Sequence, residues 1–300
     1  MLGSLQDAEE LVQETLLRAW QRQAEVRSTS ALRAWLYQIA TNVCLDHLLK
    51  ARRRRALPQL VAPASTTIRL GPGTDERLWV EPAPDALLDA EEDPAERPDE
   101  RVSRRESIGL AFITALQFLS PKQRAALLLV DVLGHKPQET AALLETSVVS
   151  VNSLLQRARK GLEARREERP EVSSADAELV RRFITTWESG DVDALSALLA
   201  EDALFSMPPQ PEWFAGREAI RQLFAAMWSA QPGRRRLLPP AANGGLAVAL
   251  YRQPPAPNAV YEASGIVLFT LRNGHVAQMT RFGALRLFEL FGLPSELPGD

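Results

Sequence analysis

The 300-residue sequence has little of what disulfide and metal sites need. Cys44 is its single cysteine, so the chain can form neither an intramolecular disulfide nor a cysteine-rich zinc cluster. The three histidines, His47, His135 and His275, lie far apart in sequence and lack the spacing of metal ligands. We therefore expect no metal and no cofactor.

Long apolar runs and a strong charge of one sign are also absent. No apolar run approaches the roughly 18 residues that a membrane helix needs, and the N-terminal "MLGSLQDAEELVQ" lacks the basic and apolar regions of a signal peptide. The formal net charge is −3, so a nucleic-acid role would depend on local basic patches. These features predict a soluble cytoplasmic protein with no membrane partner.

Composition divides the chain into four segments. Residues 1–56 have helical patterns and end in the basic run "KARRRR". Residues 57–106 are rich in proline and contain many more acidic than basic residues, which is typical of a linker. Residues 107–169 return to helical patterns, and residues 175–292 combine helices with apolar strands. We predict that each of these segments except the linker folds as a domain.

The third segment has the pattern of a helix-turn-helix. In "LSPKQRAALLLVDVLG", Ser120 is placed as the N-cap and Pro121 as the first helical residue, and Gly134 ends the helix. A second helix is predicted from Pro137 to Leu144. Ser147 then stands as the N-cap of a third helix of about 15 residues, near the usual helix length.

The third helix has two contrasting faces at about 100° per residue. Its apolar face carries Val148, Val151, Leu155, Ala158 and Leu162. Its opposite face carries Val149, Ser150, Ser153, Gln156, Arg157 and Lys160. Such small and basic side chains can enter a DNA groove and meet bases or phosphates. From this pattern alone a plain three-helix bundle stays an equal alternative, because Glu145 stands in the turn where glycine is typical.

The first segment predicts two amphipathic helices. In "DAEELVQETLLRAW" the inward face carries Leu11, Val12, Thr15, Leu16 and Ala19, and the outward face carries Glu10, Gln13, Glu14 and Arg18. In "LRAWLYQIATNVCLDHLL" the inward face carries Leu32, Trp35, Leu36, Ile39 and Val43. The basic tail from Arg52 to Arg55 is either a phosphate-binding patch or a solvated helix end.

In this order, the two helices, the linker and the helix-turn-helix resemble the extracytoplasmic-function group of sigma-70 RNA polymerase sigma factors. The resemblance implies that the first helix (region 2.2) docks on the β′ clamp helices of core polymerase. It implies that the second helix (regions 2.3 and 2.4) melts and reads the −10 element. Region 4, the helix-turn-helix, would read the −35 element and contact the β flap.

Carried over by position, the resemblance assigns roles to individual residues. The polymerase contacts would be Asp7, Glu10, Gln13 and Glu14. The −10 element would meet Asn42 and Asp46, with Arg52, Arg53, Arg54 and Arg55 on backbone phosphates. The −35 major groove would receive Ser150, Ser153, Gln156, Arg157 and Lys160. Family members carry further helices before "MLGSLQDAEE", so we expect that the start codon of this sequence is placed too late.

The last segment predicts an α+β domain. Asn273 and Gly274 form a two-residue type I′ hairpin signal between apolar strands. The phrase "SGDVDALSALLAEDALFSMPP", followed by "FAGREAIRQLF", resembles SnoaL-like domains of the NTF2-like superfamily, cone-shaped folds that enclose a pocket. Aromatic candidates for the pocket lining, each equally suited to plain core, are Trp187, Phe205, Trp213, Phe214, Phe224, Trp228, Tyr251, Phe269 and Phe282.

Catalysis in this pocket would need an acid or base inside the cone. Glu262 is the one strand carboxylate with a chance of pointing inward, and we expect His275 near the rim. Since no acid/base pair emerges, we expect no enzyme.

The leading interpretation is a sigma factor with all-α regions 2 and 4, an acidic linker and an α+β NTF2-like domain that contacts region 2 or 4 and regulates it. The linker phrase "LWVEPAPDALLD" resembles the Trp/Pro motif of sigma factors with such a tail. The alternatives are a helix-turn-helix regulator whose pocket senses a small molecule, or one that retains SnoaL-type activity.

Overall fold

The computed structural model describes residues 1–26, 32–50, 55, 57–60, 62–68, 79–85, 110–163, 174–242 and 245–299. The chain forms two compact units. The first unit comprises Met1–Ala56, Leu78–Glu81 and Arg97–Glu168. The second comprises Leu57–Arg77, Pro82–Glu96 and Arg169–Asp300. The predicted linker is therefore divided between the two units.

The described part of the first unit is helical. Its elements are α1 (Leu5–Gln21), a 3₁₀ turn (Gln23–Glu25), α2 (Leu32–Lys50), α3 (Leu110–Leu116), α4 (Pro121–Leu127) with a π turn (Leu128–Val132), α5 (Pro137–Leu143) and α6 (Val148–Glu163). Ser120 caps α4 through a reciprocal pair of bonds with Gln123, and Ser147 Oγ accepts from the backbone N–H of Ser150 at the start of α6. The predicted start signals of both helices are confirmed.

The core of region 4 lies between α3, α4, α5 and α6. The inward side of α6 buries Val151, Leu154, Leu155 and Ala158 against residues such as Leu127. The periodicity therefore predicted the inner face of this helix correctly. Glu145 occupies the turn before α6 with a φ of 49°, in the left-handed region that glycine usually fills.

Region 2 has a small core between α1 and α2. Ala19, Ile39 and Val43 are buried there, with Trp35 and Leu36 packed against them. The predicted inward positions Val12 and Leu16 are instead exposed, each by 57%. The prediction was wrong there because α2 covers the stripe that holds Leu11, Thr15 and Ala19, and the next stripe of α1 faces away from it.

The second unit consists of helices packed on one mixed sheet. After a 3₁₀ turn (Pro58–Leu60), its elements are α7 (Ser174–Ser189), α8 (Val192–Ala197), β1 (Leu199–Ser206), β2 (Trp213–Ala215), α9 (Arg217–Ala230), β3 (Arg234–Leu238), β4 (Ala241–Ala242), β5 (Gly245–Gln253), β6 (Tyr261–Arg272), β7 (His275–Phe282), α10 (Arg286–Leu290) and β8 (Glu296–Leu297). The strand order is β2-β1-β7-β6-β5-β3, with β4 beside β5 and β8 beside β6. Strands β1 and β7 are parallel, and the other described pairs are antiparallel.

The main core of this unit lies between α7, α9 and the inner face of the sheet, where Phe183, Phe224 and Met279 are buried. On the other face, Tyr251 packs edge-on against Phe288 of α10. Asn273 and Gly274 both have positive φ, 53° and 73°, which is the conformation of the predicted type I′ turn. Among the described residues, no helix combines the length and the apolar character needed to cross a membrane.

Candidate nucleic-acid interface and domain cavity

The outward face of α6 is polar and open to solvent. Ser153, Gln156, Arg157 and Lys160 are exposed on it, and Ser150 is half-buried at its N-terminal end. Arg157 Nε donates to the Ser153 carbonyl oxygen at 3.1 Å, which holds the side chain along the helix. The predicted −35 residues thus share one face of the second helix of a helix-turn-helix.

The neighbouring Arg159 belongs to a different part of the surface. Its Nη2 pairs with Asp131 Oδ1 at 2.7 Å, and this hydrogen bond and charge raise the pKa of Arg159. Arg159 is therefore tied to the π turn after α4 rather than to the outward face of α6.

Helix α2 is covered on two sides. One side packs on α1, and the other contributes Tyr37 and Leu45 to the edge of the region 4 core. The Tyr37 ring meets His135 edge-on, with 5.2 Å between ring centres. Of the two predicted −10 contacts, Asn42 is half-buried and Asp46 is exposed, 4.0 Å from Arg18.

Asp7 and Arg55 form an ion pair inside the first unit. Arg55 Nη2 lies 2.8 Å from Asp7 Oδ2, and Nη1 donates to the Trp79 carbonyl oxygen at 2.9 Å. The Arg55 side chain is only 12% exposed. We predicted these two residues on separate binding surfaces, and the structure places them against each other because the chain returns after 48 residues. Arg52, Arg53 and Arg54 lie outside the described residues.

The other predicted polymerase contacts stay on the surface of α1. Glu10 accepts from Gln6, and Glu14 pairs with Arg18 at 2.7 Å. Gln13 is exposed between them. Glu10, Gln13 and Glu14 therefore lie on an accessible polar face of α1, whereas Asp7 is paired with Arg55.

The Trp/Pro phrase of the predicted linker is partly built into the first unit. Val80 is fully buried, and Trp79 is nearly so. The backbone N–H of Glu81 donates to the Gly3 carbonyl oxygen at 2.9 Å. Trp79 and Val80 of the linker are therefore packed into the first unit beside Arg55.

A cavity of about 40 Å³ lies in the second unit between α7, α9 and strands β3, β5 and β7. Of the predicted lining, Trp187, Phe224, Trp228 and Tyr251 border it. Phe205, Trp213 and Phe269 do not, and neither do Phe214 and Phe282. Phe205 and Phe269 are core residues on Phe224 and Phe183, and Trp213 Nε1 donates to the Ala62 carbonyl oxygen at 2.8 Å.

Three arginines that sequence reasoning missed also border this cavity: Arg235 on β3, Arg252 on β5 and Arg281 on β7. Each lies two residues from an inward core side chain, so strand alternation could have located them. The basic run "RRRLL" was not recognised as a strand because it lacks the apolar alternation of one.

The candidates for catalysis lie elsewhere. Glu262 is exposed on β6, opposite Glu296 of β8, and does not border the cavity. His275 is exposed at the hairpin, where its Nδ1 lies 3.0 Å from the Asn273 carbonyl oxygen. Within the described ranges, no three His, Cys, Asp or Glu side chains are grouped as a metal site.

Known families match three parts of the chain. Sigma-70 region 2 matches residues 1–54, sigma-70 region 4 matches residues 109–162, and the SnoaL-like domain matches residues 180–279. Together with the helix-turn-helix and the mixed sheet, these matches define a sigma factor that carries an α+β NTF2-like domain, which confirms the predicted fold class.

Comparison with whole proteins gives the family. The chain is 42% identical over 304 residues to ECF RNA polymerase sigma factor SigG of Mycobacterium tuberculosis, across 99% of this chain and 80% of the relative. It is 29% identical over 211 residues to SigJ of the same species, across 69% of this chain and 58% of SigJ. The chain belongs to the ECF sigma factors, the subunits that bind core RNA polymerase and direct promoter-specific initiation.

A solved structure has the same fold. The crystal structure of Mycobacterium tuberculosis SigJ matches with a TM-score of 0.61 at 22% identity, across 98% of this chain and 93% of that one. The combination of helical sigma regions with an NTF2-like domain is therefore shared between the two proteins.

Proposed function

We propose that this sigma factor reads the −35 element with the outward face of α6 and the −10 element with Asn42 and Asp46 of α2. The observation that carries the proposal is the exposed polar face of α6 behind a complete helix-turn-helix core. Hydroxyl, amide and guanidinium groups on one helix face suit contacts with base edges and phosphates. The protein would act in the cytoplasm, where its polymerase and promoter are.

We also assign the polymerase-binding surface of α1 to Glu10, Gln13 and Glu14, with the clamp helices as the partner. Asp7 is left out of this set because its carboxylate pairs with Arg55. Arg55 itself would reach a DNA phosphate only after that pair opens.

The C-terminal domain would modulate the activity of the sigma regions through the connection between them. Ala62 and Ser65 belong to this connection, and both hydrogen-bond Trp213 of β2. Ile68 packs against the main core of the same unit. Since the segment after region 2 is part of the domain, a change in the domain would alter how far region 4 can move from region 2.

We infer that the domain does not catalyse a reaction. The residues that border its cavity in the described part of the chain include neither a carboxylate nor a histidine. General acid–base chemistry would lack its usual groups there.

Run-off transcription with core polymerase on sheared genomic DNA tests the proposal. We expect discrete 5′ ends that share −35 and −10 elements. Arg157→Ala should weaken promoter binding by about 1–3 kcal/mol if Arg157 contacts a base, and the yield of initiated transcripts should fall accordingly. The matched control is Arg181→Ala, an exposed arginine of α7, which should leave the ends and yields unchanged. Ends without shared upstream elements, or equal behaviour of the two variants, would refute the assignment of α6.

A further inference from the structure

The cavity of the C-terminal domain has an aromatic side and a basic side. Trp187 and Phe224 are buried on the aromatic side, and Trp228 is half-buried. The basic side consists of the guanidinium groups of Arg235, Arg252 and Arg281, here called the arginine cluster. The enclosed volume of about 40 Å³ holds roughly three waters at 10–15 Å³ each, or the charged head of a ligand, so a larger ligand would extend out of it past the half-buried Trp228.

Arg281 is positioned by two neighbouring residues of β6, Ser264 and Gly265. Its Nη2 donates to the carbonyl oxygen and the hydroxyl of Ser264. Gly265 makes room for the side chain, since a Cβ there would lie 3.1 Å from Arg281 Nε and 2.9 Å from the Phe282 carbonyl oxygen. Burial of its charged end lowers the pKa of Arg281.

Arg235 and Arg252 are direct partners on the neighbouring strands β3 and β5. Like charges placed opposite each other destabilise a sheet. Burial, together with the charge of Arg252, lowers the pKa of Arg235 to about 10. The Arg235 guanidinium also lies 5.0 Å from the ring centre of Trp228, which brings the basic and aromatic sides together.

The arginine cluster has no anionic partner within the described ranges. Every acceptor that those residues offer to it is a neutral oxygen: the carbonyls of Gln231, Pro232, Gly233 and Ser264 and the hydroxyl of Ser264. Glu262 is the register partner of Arg252 on β6, but it is exposed and does not border the cavity. Three partly buried cations around one cavity whose described lining includes no carboxylate are unfavourable without a counter-charge. A bound anion would supply it.

We propose that this cavity binds a small organic carboxylate. The carboxylate head lies among the arginine cluster, because a guanidinium donates two parallel hydrogen bonds to a planar carboxylate. The apolar body extends from the enclosed volume along the half-buried Trp228, since ligand sites pair an apolar wall with a few convergent polar groups. This inference is independent of the assigned polymerase and promoter contacts.

Thermal melting and tryptophan fluorescence of the full chain test the proposal, with sodium benzoate as the probe. Neutral benzamide has nearly the same shape, and sodium chloride controls for ionic strength. We expect benzoate to raise the melting temperature saturably and to quench fluorescence, with benzamide at least about tenfold weaker. Acetate supplies the head alone and should bind more weakly than benzoate. Inorganic phosphate supplies anionic charge without an apolar body, so it too should bind more weakly than benzoate.

Variants separate the cavity from general electrostatics. Arg281→Gln and Arg252→Gln should each weaken benzoate binding about tenfold or more. Arg182→Gln, an exposed arginine of α7 outside the cavity, should bind as the unaltered chain does. If Arg281→Gln does not fold, the benzoate affinity of Arg252→Gln tests the proposal, because Arg252 is only half-buried and its replacement disturbs the fold less. Equal binding of benzoate and benzamide, phosphate binding tighter than benzoate, equal binding by all folded variants, or no saturable response would each overturn the proposal.

Discussion

Among single residues, Glu145 carries a local strain in the helix-turn-helix. Its φ of 49° brings the Cβ close to its own backbone, which costs about 1 kcal/mol relative to glycine. The turn nevertheless closes, because Glu145 N donates to the Ala142 carbonyl oxygen at 3.2 Å and Thr146 N donates to that of Ala141 at 2.9 Å. The surrounding hydrogen bonds therefore hold a conformation that the residue itself disfavours.

Glu145→Gly should raise the free energy of unfolding of region 4 by about 0.5–1 kcal/mol, because it removes the strained Cβ. Hydrogen exchange of the amides at the start of α6 in the full chain measures this effect. Glu145→Ala keeps the Cβ and should give no such gain. A gain of the same size in both variants would mean that the carboxylate, rather than the backbone, is unfavourable.

Asp7 and Glu10 lie on the same helix and have opposite surroundings. Asp7→Ala should lower the free energy of unfolding by about 1–3 kcal/mol, because it leaves Arg55, only 12% exposed, without its carboxylate. Glu10→Ala should leave the melting temperature unchanged and weaken binding to core polymerase. Melting curves and a polymerase pull-down distinguish the two variants. The pairing is contradicted if Asp7→Ala melts as the unaltered chain does.

At the scale of elements, local signals predicted those parts of the fold that depend on a single segment. The start of α4 at Ser120, the two faces of α6 and the turn at Asn273 each follow from residues within a few positions of one another. Capping bonds, helical periodicity and positive φ are local effects, so the sequence is enough to identify them.

Properties that depend on a second element could not be predicted in this way. Whether Leu16 of α1 is covered depends on the side from which α2 approaches. Helix α2 itself packs on two sides, through Ile39 towards α1 and Tyr37 towards region 4. The cavity arginines meet only through the register of β3 and β5, in which Arg235 pairs with Arg252. Pairing between segments far apart in the chain produces no periodic pattern in the sequence, so neither the approach of α2 nor the pairing of β3 with β5 could be predicted from it.

The core between α1 and α2 and the exposed stripe of α1 give a test of this distinction. Ile39→Ala, at a position 5% exposed, should lower the free energy of unfolding of region 2 by about 2–5 kcal/mol. Leu16→Ser, at a position 57% exposed, should change it by less than about 0.5 kcal/mol. Denaturant titration of the full chain compares them. Equal losses would show that the second stripe of α1 is covered in solution.

At the scale of the whole molecule, the packing within the first unit conflicts with simultaneous reading of both promoter elements. Tyr37 and Leu45 of α2 pack at the edge of the core beneath α6. The −10 and −35 elements are centred about 25 base pairs apart, or roughly 85 Å at about 3.4 Å per pair. Regions packed together in this way cannot reach both elements at once, so on the proposed assignment region 2 and region 4 must separate on the promoter.

Distance measurement between spin labels at Gln38 of α2 and Asn152 of α6 tests this separation. Both positions are exposed, and Cys44→Ser removes the native thiol. In the free chain we expect a short, narrow distance distribution. In the complex with polymerase and promoter DNA it should lengthen by tens of ångströms, because each region follows its own element about 25 base pairs from the other. Labels at Gln21 and Gln38, both in region 2, should keep their distance. An unchanged distance between α2 and α6 in the promoter complex would mean that the sigma regions stay packed, and that the two elements are not read by α2 and α6 together.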